Sequence, residues 1–440
     1  GRNAFDPYLQ TYNRLLALTN IGHLVSKIEL IVLGGTWSCY PLGYRIWFIK
    51  RCFEALNDFG VRDRRPVKPG IDPKLLAKQQ TGVSDYNAAV LLQQKSPDTE
   101  TAAWPELIKS QKLNEHSACL NVGLVLETRP DYINEQEVVN LRKFGATKVQ
   151  IGIQSLDDRI LELNQRGITV TQIMHAIRLL RMAGFKIHAH WMPNLYGSSV
   201  KQDQEDYLRL WEPALAPDEL KIYPTSVIRG TLLSQYAQQG KYLPYTTEQL
   251  VKVLSFCLLN TPRYCRLTRI IRDIPSQEIE TGNKITNLRQ IVELSLIQQG
   301  TPCKCIRCRE IRQEKVRLSD LVFDKLRYQT SFGSEYYLSY NTKTADKLAG
   351  FLRLTIPSPA EASRNFIPEL RAAAMIREVH VYGQMIDVGA RVKTKAQHIG
   401  IGRKLLQQAE GIARNKGFTR IAVISAIGTR GYYRKFGYRQ

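Results

Sequence analysis

Six short runs of apolar and β-branched residues between Lys27 and about Arg272, separated by segments of helical periodicity, constrain this chain more than any other feature. The runs are Ile28–Gly34, Val122–Glu127, Lys148–Gln154, Lys186–Trp191, Leu220–Tyr223 and Leu267–Ile271. Between them, Tyr44–Phe59, Glu135–Phe144, Thr171–Ala183 and Glu248–Leu259 place apolar residues three and four apart, so each lays one stripe on a sheet. This alternation predicts parallel βαβ units, and near-continuous apolar strands predict a sheet covered on both faces. Six strands fit an α/β partial (β/α)6 barrel, with Gly145 and Gly184 as helix C-caps. The stretch Val61–Pro105, with five prolines and several basic residues, predicts a surface insertion.

After Thr301 the rhythm changes. Cys303, Cys305 and Cys308 crowd together, and strands follow at Tyr336–Ser339, Gly350–Thr355 and Met375–Tyr382. A helix over Gly400–Asn415, stopped by Gly417, a strand at Arg420–Ser425 and a short helix around Gly431–Phe436 complete an α+β domain. The expected organisation is a barrel domain over 1–298, a cysteine-rich linker over 299–315 and a second domain over 316–440 that stops before its pattern is complete.

Lysine and arginine number 62 against 40 aspartates and glutamates, a net charge of +22. Such a surplus favours a polyanionic partner, nucleic acid before an acidic lipid surface. No apolar run reaches membrane-spanning length. Eight cysteines, three of them clustered, do not match a secreted disulfide scaffold, so a reducing, cytosolic compartment is expected.

Gln397, His398, Ile399, Gly400, Ile401 and Gly402 follow a strand and open a helix. A helix N-terminus leaves N–H groups unpaired and partly positive, and glycines let a pyrophosphate approach them. The motif resembles that of the GNAT acetyltransferases, and Gly431-Tyr432-Tyr433-Arg434-Lys435-Phe436-Gly437-Tyr438 is similar to the aromatic closing segment of that family. This predicts an acetyl-CoA site, with Tyr433 first and Tyr432 second as the acid that protonates the departing thiolate.

Gly34-Gly35-Thr36-Trp37, at the end of the first strand, resembles the glycine turn with which radical SAM enzymes meet S-adenosylmethionine. Glu127 and Arg129, at the end of the second, offer a carboxylate and a guanidinium to a ribose diol or a methionine carboxylate. Alternating His188 and His190 share one strand face, and Lys221 and Tyr223 end the next strand. The spacing of Cys303, Cys305 and Cys308 predicts a structural zinc with an unidentified fourth ligand, a redox pair being the alternative.

With Phe5-Asp6-Pro7-Tyr8, His188-Ala189-His190-Trp191, Arg272-Asp273-Ile274-Pro275 and Arg377-Glu378-Val379-His380 in the same order, nearly the whole chain resembles the catalytic-subunit family of Elongator. That resemblance implies a radical SAM barrel joined to a GNAT-like domain, and carboxymethylation of carbon 5 of the wobble uridine in tRNA. It further implies a radical formed on the acetyl methyl group of acetyl-CoA, its addition to uracil, hydrolysis releasing CoA, and Elongator-type partner subunits. It also implies a four-iron four-sulfur cluster held by three cysteines before Gly34. Only Cys39 and Cys52 occur in the first 118 residues, both after that turn, so the sequence is expected to be a piece of a longer protein.

Two other readings remain at this point. One is a protein lysine acetyltransferase with Glu378 as base; the other is a non-catalytic tRNA-binding scaffold. Arg64, Arg65 and Lys68 are candidate RNA contacts.

Overall fold

The computed structural model describes residues 3–61, 99–271, 274, 278–285, 287–312, 314, 316–383 and 400–439. Asp6 accepts hydrogen bonds from the N–H groups of Tyr8 and Leu9 at 2.7 and 3.1 Å and so starts α1 (Pro7–Asn20). Six strands then pair in parallel in chain order: β1 (Lys27–Val32), β2 (Leu120–Thr128), β3 (Lys148–Gln154), β4 (Lys186–Trp191), β5 (Glu219–Ile222) and β6 (Arg266–Ile270). Parallel neighbours need crossovers. The main ones are α2 (Leu42–Asp58) and α3 (Trp104–Asn114), then α4 (Glu135–Lys143), α5 (Val170–Met182), α6 (Val200–Arg209) and α7 (Thr247–Leu259), with shorter helices at Asp158–Leu163 and Leu232–Gln238. The result is an open half-barrel of six strands.

At its centre, β3 buries Val149, Ile151 and Ile153 completely, each contributing about 1.5–3 kcal/mol relative to exposure. Edge strand β1 departs from the two-face expectation. It alternates exposed and half-buried residues, with Ile31 exposed, because only β2 pairs with it. The expected insertion also ends early: Trp104 and Pro105 form the first turn of α3, where proline lacks only an N–H that would be unpaired anyway. Residues 62–98, with Arg64, Arg65 and Lys68, lie outside the described residues.

α8 (Leu288–Gln298) and the cysteine segment lead to a second sheet, of order β11-β10-β9-β8-β7. Its strands are β7 (Leu321–Thr330), β8 (Gly333–Thr342), β9 (Leu348–Pro357), β10 (Ala373–Val381) and β11 (Arg420–Val423). The first four pair antiparallel and β11 runs parallel to β10. α9 (Ile401–Asn415) packs Ile401, Leu405, Leu406, Ala409 and Ala413 onto this sheet, and α10 (Arg430–Arg434) follows.

The sheets meet at the N-terminal ends of the barrel strands. Arg377 of β10 donates to both oxygens of Asp218 at 2.7 and 2.8 Å and to Glu335 at 3.0 Å, all three groups fully buried. Arg353 reaches the Tyr264 carbonyl at 2.8 Å, and Lys186 reaches Glu378 at 3.1 Å. Met375 of β10 and Ile424 and Ile427 of the segment after β11 belong to the same apolar cluster as the barrel.

Candidate active site

Side chains alternate along a strand, so polar residues two apart in otherwise apolar strands share the inner face. Here Lys148 and Gln150 of β3, His188 and His190 of β4, and Glu219 and Lys221 of β5 form one column. Lys148 Nζ bonds both oxygens of Glu219 at 3.0 Å and lies 3.4 Å from Glu29. His188 Nδ1 is 3.4 Å from Glu219, and its Nε2 is 2.8 Å from the Thr268 hydroxyl. The His188 and His190 rings are 5.6 Å apart, edge to face. His190 Nε2 and Lys221 Nζ meet the same oxygen, Gln150 Oε1, at 2.9 and 2.5 Å. Above them His190 Nδ1 lies 3.7 Å from Glu127, and its ring is 5.7 Å from that of Tyr223.

The column's charge states follow from this packing. Loss of water drives His188 well below the ordinary histidine value, with His190 and Lys148 adding to the effect, so it stays neutral. Burial would raise the Glu219 carboxyl, but Lys148 overrides this and holds it low. Lys221 is pulled down by burial, partly offset by Glu127. Gly34 and Gly35, at φ 101° and 71°, turn the chain beyond β1 with open space around Gly34. Arg129 donates to Asp131 at 2.9 Å and to the Arg166 carbonyl at 2.8 Å, so the expected partner of Glu127 in ligand binding is held by its own loop and by the segment between β3 and β4.

In the second sheet Gly400, at φ 79°, is the N-cap of α9 and supplies no capping side chain, and the first turn carries no acid. Its leading N–H groups are therefore available to an anion. A Cβ on Gly402 would sit 2.5 Å from the Tyr432 hydroxyl, so that hydroxyl lies directly over the glycine turn. Tyr433 instead packs against the second core and edge-on to Tyr438. Burial pushes both hydroxyls upward, which keeps them protonated. Gln397, His398 and Ile399 lie outside the described residues. Glu378 bridges Arg353 at 2.9 Å and Lys186 at 3.1 Å; burial raises its carboxyl, but these cations prevail and hold it low, which weakens it as a base.

The Cys303, Cys305 and Cys308 sulfurs lie within 4.8 Å of one another, with Cys305 and Cys308 at 3.6 Å. Tetrahedral zinc with thiolates at about 2.3 Å separates sulfurs by roughly 3.8 Å, so the trio fits that ion. The neighbouring thiols couple the three sulfurs, favouring a thiolate at Cys305 hydrogen-bonded by Cys303 and Cys308. Glu293 Oε1 lies 3.4 Å from Cys308 Sγ. No second group of three ligands occurs among the described residues, and Cys39 is exposed, so these residues do not provide for an iron–sulfur cluster.

Family models match the radical SAM superfamily over residues 89–206, the radical SAM C-terminal domain over 217–298 and the GNAT acetyltransferase family over 307–438. A tRNA uridine(34) acetyltransferase of Methanocaldococcus jannaschii is 37% identical, across 99% of this chain and 74% of its own length. Elongator complex protein 3 of Drosophila melanogaster is 35% identical, across 100% of this chain and 72% of its own. The chain belongs to the family of Elongator catalytic subunits. The solved archaeal Elp3 of Methanocaldococcus infernus, lacking its residues 1–46, matches with a TM-score of 0.81 at 34% identity, covering 99% of this chain and 93% of that one. Like others of the Elongator family, this chain is a transferase with a radical SAM half and an acetyltransferase half, which imply S-adenosylmethionine, an iron–sulfur cluster and acetyl-CoA. No described helix is long and apolar enough to cross a membrane.

Within this Elongator-type site, sequence reasoning singled out His188, His190, Lys221 and Tyr223, and the structure brings them together with Glu127. It missed Lys148, Gln150, Glu219 and Thr268. The signal was present as polar residues at spacing two within strands, Lys148 and Gln150 in β3 and Glu219 and Lys221 in β5.

Proposed function

We propose that this protein attaches a carboxymethyl group to carbon 5 of the wobble uridine of tRNA, using acetyl-CoA as the carbon source and hydrolysing it in a tRNA-dependent way. The observation that carries this reading is the shared wall between the two halves. Strand β10, which leads toward the acetyl-CoA turn, contacts the half-barrel through Lys186 and Glu378, and the polar column rises inside that barrel from Lys148 to Tyr223.

S-adenosylmethionine and its cluster would supply hydrogen-abstracting radical chemistry when bound. Gly34, Gly35 and Glu127 line the strand ends where S-adenosylmethionine would sit. The α9 N-terminus holds the pyrophosphate of acetyl-CoA, and Tyr432 or Tyr433 protonates the CoA thiolate. Lys221, fixed by Gln150, and Tyr223 hold the acetyl oxygen or the uracil edge. The cysteine trio holds zinc as a structural clamp. A tRNA substrate places the protein in the cytoplasm, and partner subunits of the Elongator type fit the family.

Incubation with acetyl-CoA, with and without tRNA, should release free CoA thiol faster when tRNA is present, with a lysine peptide giving no release. In a form of the protein that carries the cysteine ligands and the reconstituted cluster, nucleoside mass spectrometry should find carboxymethyluridine. Peptide-dependent release without a tRNA effect would overturn the reading in favour of a lysine acetyltransferase; the pairing of Glu378 argues against that outcome.

A further inference from the structure

A cleft of about 320 Å³ opens on the outside of the half-barrel, where α3, the end of α4 and the segment after β11 meet. Trp104, Lys112, Arg142, Lys143 and Arg430 line it, and no carboxylate is among its described lining residues. The nearest acid with a role, Glu115, is already taken by Arg430 at 2.9 Å and Arg434 at 2.7 Å. Gln111 donates to the carbonyls of Lys143 and Phe144 at 3.1 and 3.0 Å, which covers the negative end of α4. What faces the cleft is therefore cationic.

Arg430 is paired with Glu115 and Arg142 donates to the Ala146 carbonyl at 2.7 Å, which leaves the exposed Lys112 and Lys143 as the cations open to a ligand. Arg142, half-buried, is pushed down to about 10, first by loss of water and then by the nearby Arg430. Lys112 and Lys143 are exposed, and Lys143 Nζ stands 5.5 Å from the centre of the Trp104 ring. A cationic groove beside a half-buried indole, whose ring also packs 5.0 Å from that of Phe144, is an arrangement that can take a phosphate and the adjoining base of unpaired nucleic acid. The volume lies at the lower end of small-ligand pockets, room for about one nucleotide.

We propose that this cleft is an RNA subsite, separate from the chemistry, that takes one phosphate and the neighbouring unpaired base of the tRNA. It rests on the tRNA reading above. Ile427 and Arg430 come from the acetyltransferase half and the rest from the barrel, so a nucleotide held there touches both.

The test is binding of unmodified tRNA over a salt series by the full chain, a Lys112→Glu/Lys143→Glu variant and a Trp104→Ala variant. The double variant should bind at least roughly ten-fold more weakly, with a salt dependence shallower by about one to two units of slope. Trp104→Ala should weaken binding with the slope unchanged. Acetyl-CoA binding without tRNA should match the parent chain in both variants, which also shows that they fold. Equal tRNA binding by parent and both variants would overturn the subsite alone. Loss of acetyl-CoA or ADP binding, with tRNA binding intact, would make the cleft a nucleotide-cofactor pocket and overturn it too. Failure of the parent chain to bind tRNA would instead sink the tRNA reading itself.

Discussion

The Arg377 guanidinium faces the Asp218 carboxylate through two hydrogen bonds, 2.7 and 2.8 Å long, and neither side chain reaches solvent. A planar fork meeting two oxygens fixes orientation as well as distance, so this pair sets how β10 sits on the barrel. Removing the arginine leaves Asp218 and Glu335 only the longer contacts to Arg353 at 3.3 Å and Arg181 at 3.5 Å. Arg377→Ala is expected to cost about 3–5 kcal/mol. Urea denaturation checks this, and a loss below about 1 kcal/mol would show that water replaces the arginine.

Acid should unfold the protein in two stages. His188 is neutral in the fold, with a value far below the ordinary 6.5, so below about pH 6.5 the unfolded chain takes a proton that the folded chain refuses. Stability then falls by about 1.4 kcal/mol per pH unit for that one group. Asp218 and Glu219 are held low in the fold, so their contribution is present above their unfolded values and is lost as pH falls below about 4. Melting curves from pH 7.5 to 3.5 should show both stages, and His188→Gln should reduce only the first, leaving the share of His380, which burial holds down to about 4.

Gly402→Ala separates folding from acetyl-CoA binding. Alanine suits a helix better than glycine, yet its Cβ would lie 2.5 Å from the Tyr432 hydroxyl and push that ring aside. The melting temperature should hold or rise, while acetyl-CoA affinity drops roughly ten-fold, about 1.4 kcal/mol. Calorimetry on both proteins reads the two effects independently; unchanged affinity would remove Tyr432 from the site.

The cysteine trio makes a compositional prediction. Purified protein should carry about one zinc per chain by elemental analysis. Cys305→Ser, altering the most deeply buried sulfur of the three, should lose most of that metal and lower the melting temperature. Iron in its place would point to a different chemistry.

Periodicity located all six barrel strands because a sheet covered by helices leaves long apolar runs, as in Lys148–Gln154. It could not tell that β1 is an edge, since Ile31 is as apolar as Ile151 and only pairing decides which is exposed. Strand β7 escaped notice for the opposite reason: its edge position tolerates Asp324, Lys325 and Arg327, which blur the alternation. Pro105 looked like loop chemistry, although the second position of a helix accepts it. Of the site, the glycine turns and the cysteine trio were legible from local spacing. The link between Asp218 and Arg377 was not, because nothing local distinguishes a buried charge from a surface one.

That link also has a timetable. Asp218 and Arg377 stand 159 positions apart, so a ribosome adding about 5–20 residues per second takes roughly 8–30 s between delivering the one and the other. Once β6 has been made the barrel's parallel strands are all available, but the arginines that pair directly with Asp218, Arg353 and Arg377, are still to come, and the carboxylate is cheaper to keep wet than to bury. The lower end of the nascent barrel therefore waits ajar, its aspartate hydrated, until the acetyltransferase sheet emerges to close it.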